Sequence, residues 1–201
     1  MEKARNIGAE LVKNLRSITG AGFVDCKNVL TETDGDLEKA VDLMRKKGLA
    51  RAQKKANREA REGLIYSYIH AGGRIGVLLE INCETDFVAR TPEFQELAKN
   101  ISMHIAASNP LYVKRETLPP ELIAKEKEIY REQLISMDKP QAVKEKIISG
   151  KLEKYYKDVC LLEQPFIKDP SKNISSIIEE EVLRLGENIA LKRFVRYQLG
   201  E

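Results

Sequence analysis

Cysteine is scarce: Cys26, Cys83 and Cys160 are the only 3 in 201 residues. Their wide spacing and odd number indicate neither a zinc site nor a disulfide framework, so each is expected as a buried thiol. Histidine is scarcer still, with His70 and His104 alone. Neither lies beside an obvious nucleophile, so covalent catalysis by a Cys or Ser with a His base is not expected and the chain reads as a non-enzyme. A P-loop, a Gly-rich dinucleotide fingerprint, a His-Glu-x-x-His helix and a Cys-x-x-Cys pair are all missing, and no cofactor or metal is expected. The acidic run Glu179, Glu180 and Glu181 reads as a solvated helix face rather than a metal site. No apolar stretch approaches the roughly 20 residues of a membrane span. Residues 1–10 alternate charge with small side chains and lack the apolar centre of a secretory signal, which makes the cytoplasm the expected location.

Charge of one sign is not in excess: 34 Lys and Arg against 31 Asp and Glu leave +3, too little to argue for a nucleic-acid partner. Its distribution is uneven. Arg45, Lys46, Lys47, Arg51, Lys54, Lys55, Arg58 and Arg61 are opposed only by Glu59 over residues 45–61. That stretch reads either as a solvated linker face or as a surface for phosphate. A hydrophobic content of 42% with 32% charged residues is ordinary for a globular chain. At this length folding buries roughly 70% of the unfolded surface, so no metal or disulfide is needed to hold it.

The periodicities predict an α+β fold. Residues 1–50 read as a three-helix module: a first helix with Ile7, Leu11, Leu15 and Ile18 on one stripe ends at Thr19 and Gly20. A second, from about Phe23 to Glu32, turns Cys26, Val29 and Leu30 inward. A third, capped by Asp36, carries Leu37, Ala40, Val41 and Met44 and is expected to close at Gly48. The basic linker at 51–62, helped by Ala52, Ala56 and Ala60, reads as continuing helix or a helical linker until Gly63 breaks it, and residues 63–118 form a sheet hairpin and a helix. Gly72 and Gly73 supply the turn between Leu64–His70 and Ile75–Cys83; Val77, Leu79, Ile81 and Cys83 share one face, which is therefore core. Thr91 and Pro92 open a helix to about Ser108 with Phe94, Leu97, Ala98, Ile101 and Ile105 on one stripe. Residues 119–157 read as an antiparallel helical hairpin, much charge on a narrow seam of Ile123, Tyr130, Leu134 and Met137, projecting as an arm. Residues 158–201 complete the core: an extended segment, a turn at Asp169 and Pro170, a helix ending at Gly186, and a last strand with Val195, Tyr197 and Leu199 on one face.

The candidate site is Thr85, Asp86, Phe87 and Val88, between the hairpin and the next helix. On spacing alone two readings stand. Phe87 is a core residue at a strand end with Thr85 or Asp86 capping the backbone, or a carboxylate beside an aromatic ring is held out on a rigid support to wedge into a partner.

Thr19, Gly20, Ala21 and Gly22 with Asp25, Cys26 and Lys27, followed by Asn82, Cys83, Glu84, Thr85, Asp86, Phe87 and Val88, resemble the elongation factor Ts family of bacteria and organelles. Supporting stretches are Arg74 to Gly76, His104 to Ser108, Gln164 to Phe166, and Phe194 to Arg196. The resemblance implies a guanine nucleotide exchange factor that binds elongation factor Tu, both with GDP and free of nucleotide, with no membrane or nucleic-acid partner. It implies that the N-terminal module is ubiquitin-associated-like, and that Asp86 and Phe87 insert beside the partner's magnesium site while Thr85 and Val88 set the element's shape. Phe23, Val24 and Lys27 on the module, and His70 in the hairpin, correspond to further partner contacts. Longer members carry two related core halves, so a homodimer is expected to supply the second here. The alternative is an RNA-binding translation accessory protein using the basic residues 45–61.

Overall fold

The computed structural model describes residues 7–55 and 57–201, with the backbone alone at 49–54. Residues 1–6 of the charged N-terminal stretch, and the side chains of Arg51 and Lys54 in the basic stretch, lie outside the described residues. The helices are α1 (Ala9–Thr19), α2 (Phe23–Glu32), α3 (Leu37–Lys55), α4 (Asp86–Ala89), α5 (Pro92–Ser108), α6 (Pro120–Gln133), α7 (Gln141–Val159) and α8 (Ile174–Leu185). The strands are β1 (Glu62–Ile69), β2 (Ile75–Cys83), β3 (Pro165–Phe166), β4 (Asp169–Asn173) and β5 (Ala190–Gln198). The fold is α+β, and contacts divide it into two compact units.

The first unit takes in the chain to Gly63 with Asn82–Phe94 and Ile178–Ala190. Its helical part is built on Val12 and Leu15 of α1, Cys26, Val29 and Leu30 of α2, and Ala40 and Met44 of α3, all buried. Each such apolar side chain contributes roughly 1.5–3 kcal/mol over an exposed one, enough in sum to hold three short helices. Gly20 ends α1 in the left-handed region at φ 66°, where its N–H reaches the Arg16 carbonyl at 2.8 Å. The Asp36 carboxylate accepts the Lys39 N–H at 3.0 Å, the expected cap of α3. Two readings need correction. The α1 stripe is rotated by about one position, so that Val12 is buried while Ile18 is 58% exposed. And α3 does not close at Gly48 but runs on to Lys55. A Cβ at Gly48 would fall 2.2 Å from Cδ1 of Leu183 in α8. This glycine answers a close helix approach, not a cap.

The second unit holds Leu64–Ile81, Gln95–Ile177 and Leu191–Glu201. Its sheet has the order β1-β2-β5. The hairpin turn uses Gly72 and Gly73 at φ 88° and 69°, with the His70 N–H donating to the Ile75 carbonyl at 2.9 Å. Along β5, Arg193 pairs with Glu80 and the Leu199 N–H donates to the Arg74 carbonyl, so β5 runs antiparallel to β2. Val77, Leu79 and Ile81 are buried, as are Leu97, Ala98, Ile101 and Ile105 of α5. The half-buried Arg196, on the inner face of β5, donates from Nε to the Ala106 carbonyl of α5 at 3.3 Å. Val195, Tyr197 and Leu199 share a face, as read, and it is the exposed one.

The helical hairpin forms as expected, α6 against α7 around Leu134, Ile148 and Leu152, with Ile123, Tyr130, Ile147 and Tyr156 beside them. Met137 lies outside that seam, 44% exposed. At the base, Arg115 forks onto Glu153 with hydrogen bonds of 2.9 and 2.6 Å, and also bonds Glu163. Its guanidinium lies 4.4 Å from the centre of the Tyr156 ring. The expected turn at Asp169 and Pro170 falls earlier: both residues belong to β4, which pairs antiparallel with β3, and the reversal is at Ile167 and Lys168.

Candidate functional site

β2 ends at Cys83, a buried thiol whose Sγ donates to the Thr85 carbonyl at 3.1 Å. Burial, with the Glu187 carboxylate second, pushes that thiol up to about 11, so it stays protonated and acts as a donor. Thr85 is extended (φ −129°, ψ 154°) and caps α4, its Oγ1 accepting the Val88 N–H at 3.4 Å. Asp86 opens the short helix and pairs with Arg90 at 2.7 Å. Phe87 points into water, 78% exposed, while Ala89 turns inward. Thr91 then caps α5 by accepting the Phe94 N–H at 3.3 Å, and Phe94, not Phe87, is the buried ring. The reading of Phe87 as a core residue is excluded. An unburied Phe leaves roughly 1.5–3 kcal/mol of transfer free energy available to whatever covers it.

Three hydrogen bonds tie this loop to the turn after α8. Oε2 of Glu187 accepts the N–H groups of Glu84 and Thr85, each at 3.0 Å, and Oε1 accepts the Thr85 hydroxyl at 2.6 Å. In return Glu84 accepts the Asn188 N–H at 2.6 Å and pairs with Arg58 at 3.5 Å. Neither Glu187 nor Asn188 was legible beforehand as part of the site. The only local signal is Gly186 at φ 80°, which stops α8 and aims the next residue.

Phe23, Val24 and Lys27 are exposed on α2 in the same unit as Thr85–Val88, and Val24 is 68% exposed. Ile18, read from the sequence as part of the inward α1 stripe, is instead a further exposed apolar side chain of that helical part. His70 belongs to the other unit; it is exposed and its Nδ1 lies 2.9 Å from the Tyr68 hydroxyl. Within the basic stretch Lys47 pairs with Glu32, Arg58 with Glu84, and Arg61 with Glu59, while Lys55 donates to the Gly186 carbonyl. Charges engaged in this way are less available to a polyanion. Among the described residues no group of three or more His, Cys, Asp or Glu could hold a metal ion, and no helix is long and apolar enough to cross a membrane.

The sequence model of the family described as Elongation factor TS matches residues 29–201, which include the whole Thr85–Val88 loop. The chain belongs to the elongation factor Ts family. Proteins named elongation factor Ts in Moorella thermoacetica and Fervidobacterium nodosum are 57% and 59% identical to it over 195 residues, covering 97% of this chain and 96% and 99% of their own lengths. That of Thermodesulfovibrio yellowstonii is 58% identical, covering 97% of each chain. Those three relatives are therefore about as long as this chain. Membership makes this a translation elongation factor.

Proposed function

We propose that this chain is a cytoplasmic guanine nucleotide exchange factor for elongation factor Tu, working by insertion of Asp86 and Phe87 beside the partner's magnesium site. No bond is broken. An exchange factor binds the nucleotide-free partner more tightly than the GDP form, and by linkage it weakens GDP by the same factor. The observation that carries the reading is Phe87: a fully presented ring on a helix fixed at both ends. Burying that ring only when the partner's ion site is open supplies the differential affinity, and the Asp86 carboxylate beside it competes for the ion's coordination. Phe23, Val24 and Lys27 supply a second contact from the three-helix module, and His70 a third. The exposed apolar face of the sheet, with Ile65, Ile69, Tyr197 and Leu199, is covered in the same reading by a second copy of the chain.

The test is release of fluorescent GDP from elongation factor Tu. The wild-type chain accelerates it, and Phe87→Ala abolishes most of the acceleration. Unchanged acceleration by that variant would refute the insertion. Sedimentation at micromolar concentration reads the dimer.

A further inference from the structure

We infer that Glu187 is the positioning residue of the exchange element, fixing Thr85 and through it the direction in which α4 presents Phe87. This deepens the exchange reading above and rests on it.

A loop that leaves a strand at Cys83 and enters a helix at Pro92 has many conformations open to it, and each residue left unfixed must be ordered when the partner docks, a penalty of roughly tenfold in affinity. Glu187 removes that freedom with one side chain. Its two oxygens take two backbone N–H groups and one hydroxyl, so Glu84 and Thr85 are held from three directions. The hydroxyl contact has a further effect. Because the Thr85 hydrogen is committed to Oε1 of Glu187, the oxygen's lone pairs are left for the Val88 N–H, and the cap of α4 is set in one orientation. The grip is reciprocal, since the Glu84 carboxylate accepts the Asn188 N–H and the Asn188 side chain donates to the Arg58 carbonyl at 2.7 Å. Two segments more than 100 positions apart thus exchange a carboxylate for a backbone N–H in both directions. None of these atoms belongs to the exposed ring. They decide where it stands.

The experiment is a double-mutant cycle on GDP release from elongation factor Tu, using the full chain, with Glu187→Gln, Phe87→Ala and the double variant. Glutamine keeps the size, but with its carbonyl oxygen on the two N–H groups it turns an amide N–H toward the Thr85 hydroxyl, which loses its carboxylate acceptor and the orientation that acceptor imposed. Loss of one charge-assisted hydrogen bond is expected to slow exchange about tenfold. In the Phe87→Ala background the same substitution is expected to add almost nothing, because only the ring's placement has changed. A Glu187→Gln chain as active as wild type, beside an impaired Phe87→Ala, overturns the positioning role and leaves the exchange reading standing. An equal fractional loss in both backgrounds overturns it too, as general damage to the fold. If Phe87→Ala is itself fully active, the exchange reading fails first and this inference with it. Should Glu187→Gln not fold, Thr85→Val carries the same cycle by removing the hydroxyl alone.

Discussion

His104 and Gln164, 60 positions apart, share a buried hydrogen bond of 2.9 Å between Nε2 and Oε1. The Gln164 amide donates in turn to the Asp158 carbonyl at 2.7 Å, so its oxygen faces the imidazole and His104 is the donor, with Nδ1 unpartnered. The pair fixes the segment after α7 against α5 in a neutral, uncharged state.

Acid should therefore loosen the fold in a definite window. Burial holds His104 below its ordinary value of 6.5, so protons bind the unfolded chain more readily than the folded one. Stability from this residue is complete above about 6.5 and declines as the pH falls from there toward the folded value. Urea midpoints compared at pH 7.5 and 5 are expected to drop in the wild type and to drop less in His104→Gln.

Phe87→Ala should leave the free energy of unfolding within about 0.5 kcal/mol of wild type, because the ring is already in water. Phe94→Ala, at a buried ring seven positions on, should cost about 3–5 kcal/mol. Denaturant titration of the two variants side by side reads the contrast, and a large loss for Phe87→Ala would place its ring in the core after all.

At an ordinary helix interior, Gly→Ala gains about 1 kcal/mol. At Gly48 the added methyl meets Leu183, so Gly48→Ala is expected to gain nothing or to destabilise. In a Leu183→Ala background the ordinary gain should return. Thermal melts of the four chains measure that sign change.

Arg115 holds Glu153 below the usual carboxylate range through their hydrogen bonds. The contribution is present above the ordinary value of 4.5 and is lost as the pH falls through the folded value. Protection of amides in the last turns of α7, relative to their intrinsic exchange rates, should fall in the wild type as the pH drops below 4.5 and through the folded value. In Arg115→Ala, where the fork is gone, that protection should be low at pH 7 already.

Much of this was legible in the sequence, because local pattern decides it. The hairpin glycines, the capping residues Asp36 and Thr91, and the stripes on α2 and α5 are set by neighbours a few positions away. What failed was set by distant partners. Gly48 looks like a helix stop until Leu183 is placed above it, and Ile18 looks like core until the packing of three helices buries Val12 and leaves Ile18 exposed. Asp169 and Pro170 look like a turn although the reversal has already happened. Glu187 carried no signal, since its three donors are supplied from 102 and 103 positions away.

The pairing of β5 with β2 also sets an order of events at the ribosome. The three N-terminal helices share a core drawn from residues 12 to 44, and that core can assemble as soon as they emerge. Arg193 meets Glu80 across 113 positions, so the sheet keeps an open flank on β2 until almost the whole polypeptide has been made. A nascent chain stalled in the arm would carry folded helices and an unfinished sheet, and the open flank of that sheet is where a chaperone would find its grip.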